Sequence, residues 1–292
     1  MSGRRSLTVW LTVVVVAATV LIGGGFWVVS YFKGALAPGL SIGCSATAKG
    51  GAFNLAVDQT ENAALISAIS VQRGMPARAA SIALATALQE SKLRNINYGD
   101  LDSLGLFQQR PSQEWGTKAE IMDPVYSTNE FYNVLEKVPG YQDMPLNDAA
   151  QIVQRSGFPQ AYAQHEDLAR AFASALTGQT AAGLNCTLPP ATPVSTPADL
   201  ETALHAVLGP LGVASTSGQP AATVRLQVAD ATGWTAAQWA LANAHQFGIT
   251  RISYDGKLWD RTANQGQLNV GWTADPAPDG TGMVTLLMAS GS

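Results

Sequence analysis

The most apolar part of the chain lies near its N-terminus. Residues Leu7 to Phe32 run for 26 positions without a charged side chain, and a helix of that length spans about 39 Å. This exceeds the ~30 Å hydrocarbon core of a bilayer, so the pattern predicts a single transmembrane helix over 7–32. Arg4 and Arg5 precede the run and only Lys33 follows it closely. The positive-inside rule therefore predicts a cytoplasmic tail over 1–6 and export of everything after the helix.

A cleaved signal peptide is the alternative for this segment. The apolar region of a signal peptide is usually ~7–15 residues long and ends at a small-x-small cleavage site. The longer run here favours an uncleaved anchor. The predicted location is thus the cell membrane, single-pass, with the bulk of the chain outside the cytoplasm.

Beyond a short linker at 33–43, hydrophobic residues recur at helical spacing through a first exported region, 44–187. The pattern predicts five helices, with a long polar loop at 94–116 between the second and third. They cover about 58–73, 76–91, 123–135, 147 onward and 160–176. The expected fold of this region is all-α, and long ordered loops in compact domains are often functional.

A second boundary follows. Four prolines within 188–198 predict an extended linker. Beyond it, the region 199–292 alternates between helical and strand patterns, which predicts a small α/β (or α+β) C-terminal module. The expected helices cover 200–208 and 235–246, and the expected strands 223–228, 249–254 and 283–288.

Composition narrows the classes of function. Seventeen basic residues against 21 acidic ones give a net charge of -4, which argues against nucleic acid as a partner. Two cysteines and three histidines are too few for a typical structural zinc site, so no metal or other cofactor is expected. In an oxidising compartment Cys44 and Cys186 most simply pair, so a disulfide closing the first region is predicted.

Glu90 is the candidate for acid chemistry. It lies at the C-terminal end of the second predicted helix, where the helix dipole disfavours ionisation. Burial under the following loop would raise its pKa further. A carboxyl that keeps its proton near neutral pH can act as a general acid. By spacing alone, however, an ordinary solvated glutamate is the more common interpretation.

Three motifs occur in order around this residue: Glu90-Ser91, Gly105-Leu106-Phe107-Gln108 and Asp123-Pro124. This order resembles the lysozyme-like superfamily of lytic transglycosylases and goose-type lysozymes. In that superfamily a helix ends in Glu-Ser, a Gly-Leu-Met-Gln segment follows, and an Asp-Pro-x-x-Asn block opens the next helix. Here Phe107 replaces the Met and Ser127 replaces the Asn.

The resemblance implies that Glu90 protonates the glycosidic oxygen between N-acetylmuramic acid and N-acetylglucosamine in peptidoglycan. It also implies that Gln108 hydrogen-bonds the sugar near the cleavage point and that Ser91 helps to hold the glutamate or the glycan. A hydrolase usually needs a second carboxylate. Asp100 and Asp102 are the candidates, although Asp is also a common turn residue. Without a second carboxylate, the 6-hydroxyl of the muramic acid attacks and leaves an anhydro end, the lytic transglycosylase outcome, which we place ahead of hydrolysis.

Two aromatic residues near the loop, Tyr98 and Trp115, are candidates for stacking on sugar rings, with core packing as the alternative for each. The superfamily also carries a late Tyr-Asn-x-Gly block whose tyrosine approaches the catalytic glutamate. Here the corresponding stretch reads Gln154-Arg155-Ser156-Gly157. Either Tyr162 or Arg155 therefore takes that place, or the site is weakened.

The C-terminal module carries a second resemblance. Its glycine and tryptophan motifs, from Gly233-Trp234 to Gly271-Trp272, resemble a domain of actinobacterial cell-wall proteins related to zinc D,D-peptidases. The strands that hold the metal in that family read Val224-Arg225-Leu226 and Val284-Thr285-Leu286-Leu287 here. Metal ions need deprotonated N, O or S donors. The resemblance therefore implies a degenerate, non-catalytic module that binds the wall or a protein partner.

Together these patterns predict a membrane-anchored, extracytoplasmic enzyme that cleaves the glycan strands of peptidoglycan, as a lytic transglycosylase rather than a muramidase. The alternative is a catalytically inactive peptidoglycan-binding or scaffold protein that uses the same lysozyme-like fold. The expected partners are peptidoglycan, the membrane through one helix, and a protein that contacts the C-terminal module.

Overall fold

A computed structural model describes residues 42–48, 51–156, 160–192, 195–216, 221–228, 230–265 and 269–289. The predicted tail at 1–6, the predicted span at 7–32 and nearly all of the 33–43 linker lie outside these ranges. Within them, no helix has both the length and the apolar character needed to cross a bilayer.

The first region, predicted over 44–187, contains a three-stranded antiparallel sheet, so the prediction of an all-α domain is wrong. Its strands are β1 (Gly43–Ala48), β2 (Gly51–Leu55) and β3 (Leu184–Thr187), in the order β2-β1-β3. Cys44 lies directly opposite Cys186 across β1 and β3, and the predicted disulfide between them is confirmed. β1 and β3 are separated by most of the region, so local periodicity carries no signal of their pairing.

Among the described residues between β2 and β3 there are six α-helices, and they include the five that periodicity predicts. The Ala-rich α2 is the central one and packs against α1, α4, α5 and α6. Residues 79–88 of α2 are all buried, because small side chains allow neighbouring helices to approach on every face. The helices are α1 (Val57–Gln72), α2 (Ala77–Ser91), α3 (Lys118–Ile121), α4 (Pro124–Leu135), α5 (Leu146–Gln154) and α6 (Glu166–Leu176).

The C-terminal region forms a six-stranded antiparallel sheet with the order β4-β5-β9-β6-β7-β8. Alternate residues of β5 and β9 are buried, and α8 packs against β6 and β9. The predicted strand at 249–254 is confirmed at those bounds. The elements are α7 (Pro197–Leu208), β4 (Gly212–Thr216), β5 (Ala221–Gln227), α8 (Asp230–Ala242), β6 (Ile249–Tyr254), β7 (Lys257–Asp260), β8 (Thr273–Ala274) and β9 (Met283–Ala289).

The described residues between 42 and 289 form one compact unit, in which α8 packs on α1 and α6. The buried side chain of Gln238, on α8, connects the two regions. Its Nε2 donates to the Ala175 carbonyl (2.6 Å) and the Thr180 carbonyl (3.1 Å). Its Oε1 accepts from the backbone N–H of Leu184 (2.7 Å). The division into two domains at 188–198 stays a prediction, which a truncated chain tests directly.

A buried arginine holds the linker. Arg261 is 2% exposed and donates to the carbonyls of Ile249 (2.9 Å), Pro189 (2.6 Å) and Ala244 (2.5 Å). Its burial lowers the pKa of the guanidinium to about 10. Since Pro189 belongs to the predicted linker, the hydrogen bond from Arg261 connects the start of that linker to the C-terminal sheet.

Candidate functional site

Glu90 lies in the last turn of α2 and is half-buried. The helix ends because Lys92 and Leu93 adopt the left-handed conformation (φ 56° and 57°). Side chains of α1 hold this turn: Gln59 donates to the Lys92 carbonyl (2.9 Å) and Asn62 to the Leu93 carbonyl (2.8 Å). The position of Glu90 is therefore set by two packed helices.

The carboxyl of Glu90 is hydrogen-bonded from the far end of the region. The phenol of Tyr162, itself fully buried, donates to Glu90 Oε1 at 2.8 Å. Burial raises the pKa of Glu90, and hydrogen bonds from Tyr162 and Gln154 partly oppose that rise because they stabilise the carboxylate. A carboxyl whose pKa is raised by burial, and which is still in contact with solvent, is better suited to donate a proton than an ordinary surface glutamate.

Of the two residues expected to replace the tyrosine of the superfamily, the structure brings Tyr162 to Glu90. Arg155 is exposed and ends α5 in the left-handed conformation (φ 51°). The sequence does not predict that Gln154 hydrogen-bonds Glu90. The only sequence feature that points to Gln154 is its position in the altered Tyr-Asn-x-Gly block.

The loop after α2 is anchored in the core beside Glu90. Ser91 is buried, and its hydroxyl lies 2.8 Å from the Leu106 carbonyl, to which it donates. The ring of Phe107 stacks on Phe131 with centroids 4.6 Å apart. Gln154 Nε2 donates to the Phe107 carbonyl (2.8 Å). Ser91 thus holds the loop instead of reaching outward to a glycan, and Gln154 connects the loop to Glu90.

Gln108 is half-buried with a left-handed backbone (φ 49°). Its Nε2 lies 3.3 Å from the carbonyls of both Tyr98 and Gly105. Its Oε1 occupies the space that a Cβ at Gly99 would fill, at 1.9 Å, so a side chain at position 99 would displace it. The amide of Gln108 therefore stabilises the loop itself.

The two candidate aromatic residues differ in exposure. Tyr98 is 69% exposed, whereas Trp115 is partly buried against the hydrophobic core. A ring that faces solvent offers a stacking surface. Of the two, Tyr98 is therefore the one placed to contact a ligand.

Asp102 is held by the loop. It accepts from Arg110 Nε (2.7 Å), the Ser112 backbone N–H (2.8 Å) and the Ser112 hydroxyl (3.0 Å). The hydrogen bond from Arg110, followed by those from Ser112, lowers its pKa to about 2. Asp100 is exposed, and its carbonyl accepts from the Ser103 N–H (3.0 Å) in the same turn. Both aspartates therefore contribute to the loop conformation. The carboxylate of Asp102 does so through its hydrogen bonds with Arg110 and Ser112, and Asp100 through its backbone carbonyl.

No protein-family model matches this sequence, and no curated protein matches it either.

Within the described ranges, no group of three or more His, Cys, Asp or Glu side chains is placed to hold a metal ion. On the C-terminal sheet, Arg225 and Thr285 lie opposite each other and both contact Asp279. The functional assignment therefore depends on the geometry around Glu90.

Tyr162→Phe is expected to raise the pKa of Glu90 further. The phenol hydrogen bond favours the charged carboxylate, so its removal shifts the equilibrium towards the protonated form. The measurement is a pH titration of the glutamate side-chain carboxyl signals by NMR, with Glu90→Gln used to assign the Glu90 signal. An unchanged or lowered pKa in the variant would show that the contact does not act on the proton of Glu90.

Proposed function

We propose that the protein cleaves the glycan strands of peptidoglycan outside the cytoplasm, with Glu90 as the general acid. The observation that carries this proposal is a half-buried carboxyl, its pKa raised by burial, held in position by the phenol of Tyr162. Proton donation to a leaving oxygen is the chemistry that such a group performs in glycosidases. The resemblance of Glu90-Ser91 and Gly105-Leu106-Phe107-Gln108 to lytic transglycosylases supplies the substrate class.

Of the two candidate second carboxylates, that of Asp102 is already hydrogen-bonded to Arg110 and Ser112. The loss of this candidate favours intramolecular transfer over hydrolysis. In the proposed reaction Glu90 gives its proton to the glycosidic oxygen as the bond from the muramic acid C1 to that oxygen breaks. The 6-hydroxyl oxygen of the same sugar then bonds to C1, and its proton passes to the Glu90 carboxylate. The acid is thereby restored, and no water is consumed.

The disulfide supports an extracytoplasmic location. Disulfides persist in oxidising compartments and are rare in the cytoplasm, and Cys44 and Cys186 are bonded across neighbouring strands. Peptidoglycan lies in that compartment, so location and proposed substrate agree.

The proposal is tested by incubating the purified protein with isolated sacculi and analysing the soluble products. We expect muropeptides with anhydro ends, which borohydride leaves unchanged, whereas hydrolysis would leave reducing ends that borohydride converts to alcohols. Reducing ends would replace the transfer step with hydrolysis. A protein that sediments with sacculi and releases nothing would instead be a binding or scaffold protein.

A further inference from the structure

A cavity of about 310 Å³ opens beside the loop that follows α2. Its lining includes Tyr98, Leu101, Asp102 and Pro111 from the loop, and Lys118 at the start of α3. Glu90 and Gln108, both described by the structure, are not among its lining residues. The volume is near the lower limit for small-molecule sites, ~300–1,000 Å³, so this loop cavity is large enough for part of a larger ligand.

The charge in the loop cavity comes from Lys118. The other basic group nearby, Arg110, is paired with Asp102 (2.7 Å), so those two charges offset each other. The neighbouring Glu120 accepts from the N–H and the hydroxyl of Thr117 (both 2.8 Å). Among the residues that the structure describes, no ion pair involves Lys118. An exposed ammonium with no acidic partner can pair with a carboxylate brought by a ligand.

The rim of the loop cavity is apolar and exposed. Tyr98 is 69% exposed and Leu101 is 74% exposed. Leu101 also has a left-handed backbone (φ 55°), a conformation that glycine or asparagine adopts at lower cost. Because the side chain is so exposed, burial of apolar surface offsets almost none of the cost of this backbone conformation. A strained residue with an exposed apolar side chain is understandable if a ligand covers it.

The loop cavity and the acid site share one loop. The backbone of Tyr98 and Gly99 separates the cavity from Gln108, whose Nε2 lies 3.3 Å from the Tyr98 carbonyl. The preceding Phe107 carbonyl accepts from Gln154 (2.8 Å), which also hydrogen-bonds Glu90. The loop cavity and Glu90 are therefore connected through hydrogen bonds of the same loop.

We infer that the loop cavity binds the peptide carried by the glycan strand, with Lys118 pairing with a peptide carboxylate and Tyr98 and Leu101 covering an apolar side chain. The inference rests on the proposed function only for the identity of the polymer. A carboxylate-bearing peptide suits the site better than an uncharged sugar, because Lys118 provides an unpaired positive charge beside an apolar rim.

Binding is tested by calorimetric titration in the full chain carrying Glu90→Gln, so that turnover does not consume the ligand. The probes are a disaccharide-tetrapeptide from peptidoglycan, the same compound with its carboxyls converted to amides, and chitohexaose, which has no peptide. In this background Lys118→Met is expected to weaken binding of the disaccharide-tetrapeptide about tenfold, the usual value of a charge-assisted hydrogen bond. Lys118→Arg is expected to retain binding, and Lys257→Met, at an exposed lysine on β7, is the matched control.

Leu101→Asn separates a ligand contact from a structural role. Asparagine tolerates the left-handed backbone better than leucine, so the thermal midpoint is expected to stay level or rise while the disaccharide-tetrapeptide binds several-fold more weakly. A residue that only stabilised the loop would show the opposite thermal shift.

The inference is overturned if the Glu90→Gln chain does not bind the disaccharide-tetrapeptide, or if Lys118→Met weakens the amidated compound and chitohexaose equally. The failure of the proposed function is separate. If sacculi are not cleaved while tetrapeptide binding depends on Lys118, the loop cavity remains a peptide site. If sacculi are cleaved while Lys118→Met binds normally, only this inference fails.

Discussion

Glu90→Gln is expected to lower the release of muropeptides from sacculi about 10³-fold, the usual scale of general acid catalysis. An amide has nearly the shape of the carboxyl and still accepts the hydrogen bond from Tyr162, but it has no acidic proton to donate. The fold should therefore be unchanged, and sacculi should still bind. The measurement is the initial rate of soluble muropeptide release, with the thermal midpoint recorded for the same preparation.

The matched control is Glu61→Gln. Glu61 lies on α1, and burial followed by the charge of Asp58 raises its pKa as well. It therefore shares the raised pKa of Glu90 without the hydrogen bond from Tyr162. We expect its release rate to remain near that of the unchanged protein. Equal losses in both variants, or full activity in Glu90→Gln, would remove Glu90 from the role of acid.

A chain that ends at Thr187 is expected to lose its cooperative unfolding transition. In the whole protein α1 packs against both α7 and α8, and α6 also packs against α8. Covering a large apolar side chain contributes ~1.5–3 kcal/mol, and a domain is stable by only ~5–15 kcal/mol. Losing two packed helices therefore removes a contribution as large as the total stability.

The truncation also removes polar contacts to the strand that carries the disulfide. Trp272 Nε1 donates to the Leu184 carbonyl (2.8 Å), and Trp259 Nε1 donates to Asn185 Oδ1 (3.1 Å). Gln238 accepts from the Leu184 N–H (2.7 Å). Without these partners β3 keeps only β1 and its contacts with α6, so the sheet around Cys186 should be weakened as well.

Thermal unfolding followed by circular dichroism, together with gel filtration, checks this expectation. The control is a chain divided between Ala191 and Thr192 with both pieces co-expressed, which should copurify and unfold together. If the chain ending at Thr187 unfolds cooperatively on its own and keeps the raised pKa of Glu90, the division into two domains is right and the packing described above is dispensable.

Much of the helical structure follows from local sequence. Asp123-Pro124 opens α4 as predicted, because the Asp123 carboxylate accepts from the Val125 N–H (2.8 Å) and proline suits the first helical position. The disulfide could also be predicted from the sequence, since two cysteines in a predicted oxidising compartment have only one intramolecular pairing. The long polar loop beside Glu90 was also visible as a break in periodicity.

The sheet of the first region could not be predicted from local sequence. Each of its strands has at most six residues, too short for alternation to be decisive, and β1 pairs with β3 across a sequence separation of 142 at the disulfide. Periodicity reports only which face of an element is apolar. It does not report which distant segment will cover that face.

In the candidate site, too, the local features could be predicted from the sequence, whereas the long-range contacts could not. Glu90, Ser91 and the Gly105–Gln108 segment were identified from their order in the chain, because the end of a helix and the loop after it are local features. The hydrogen bond to Glu90 from Tyr162, 72 residues away, and that from Gln154 to Phe107, 47 residues away, arise only when α2, α5 and the segment before α6 pack together. Local sequence thus placed the acid on its helix, whereas packing determined its burial and its partners, since desolvation and long-range hydrogen bonds exist only in the folded chain.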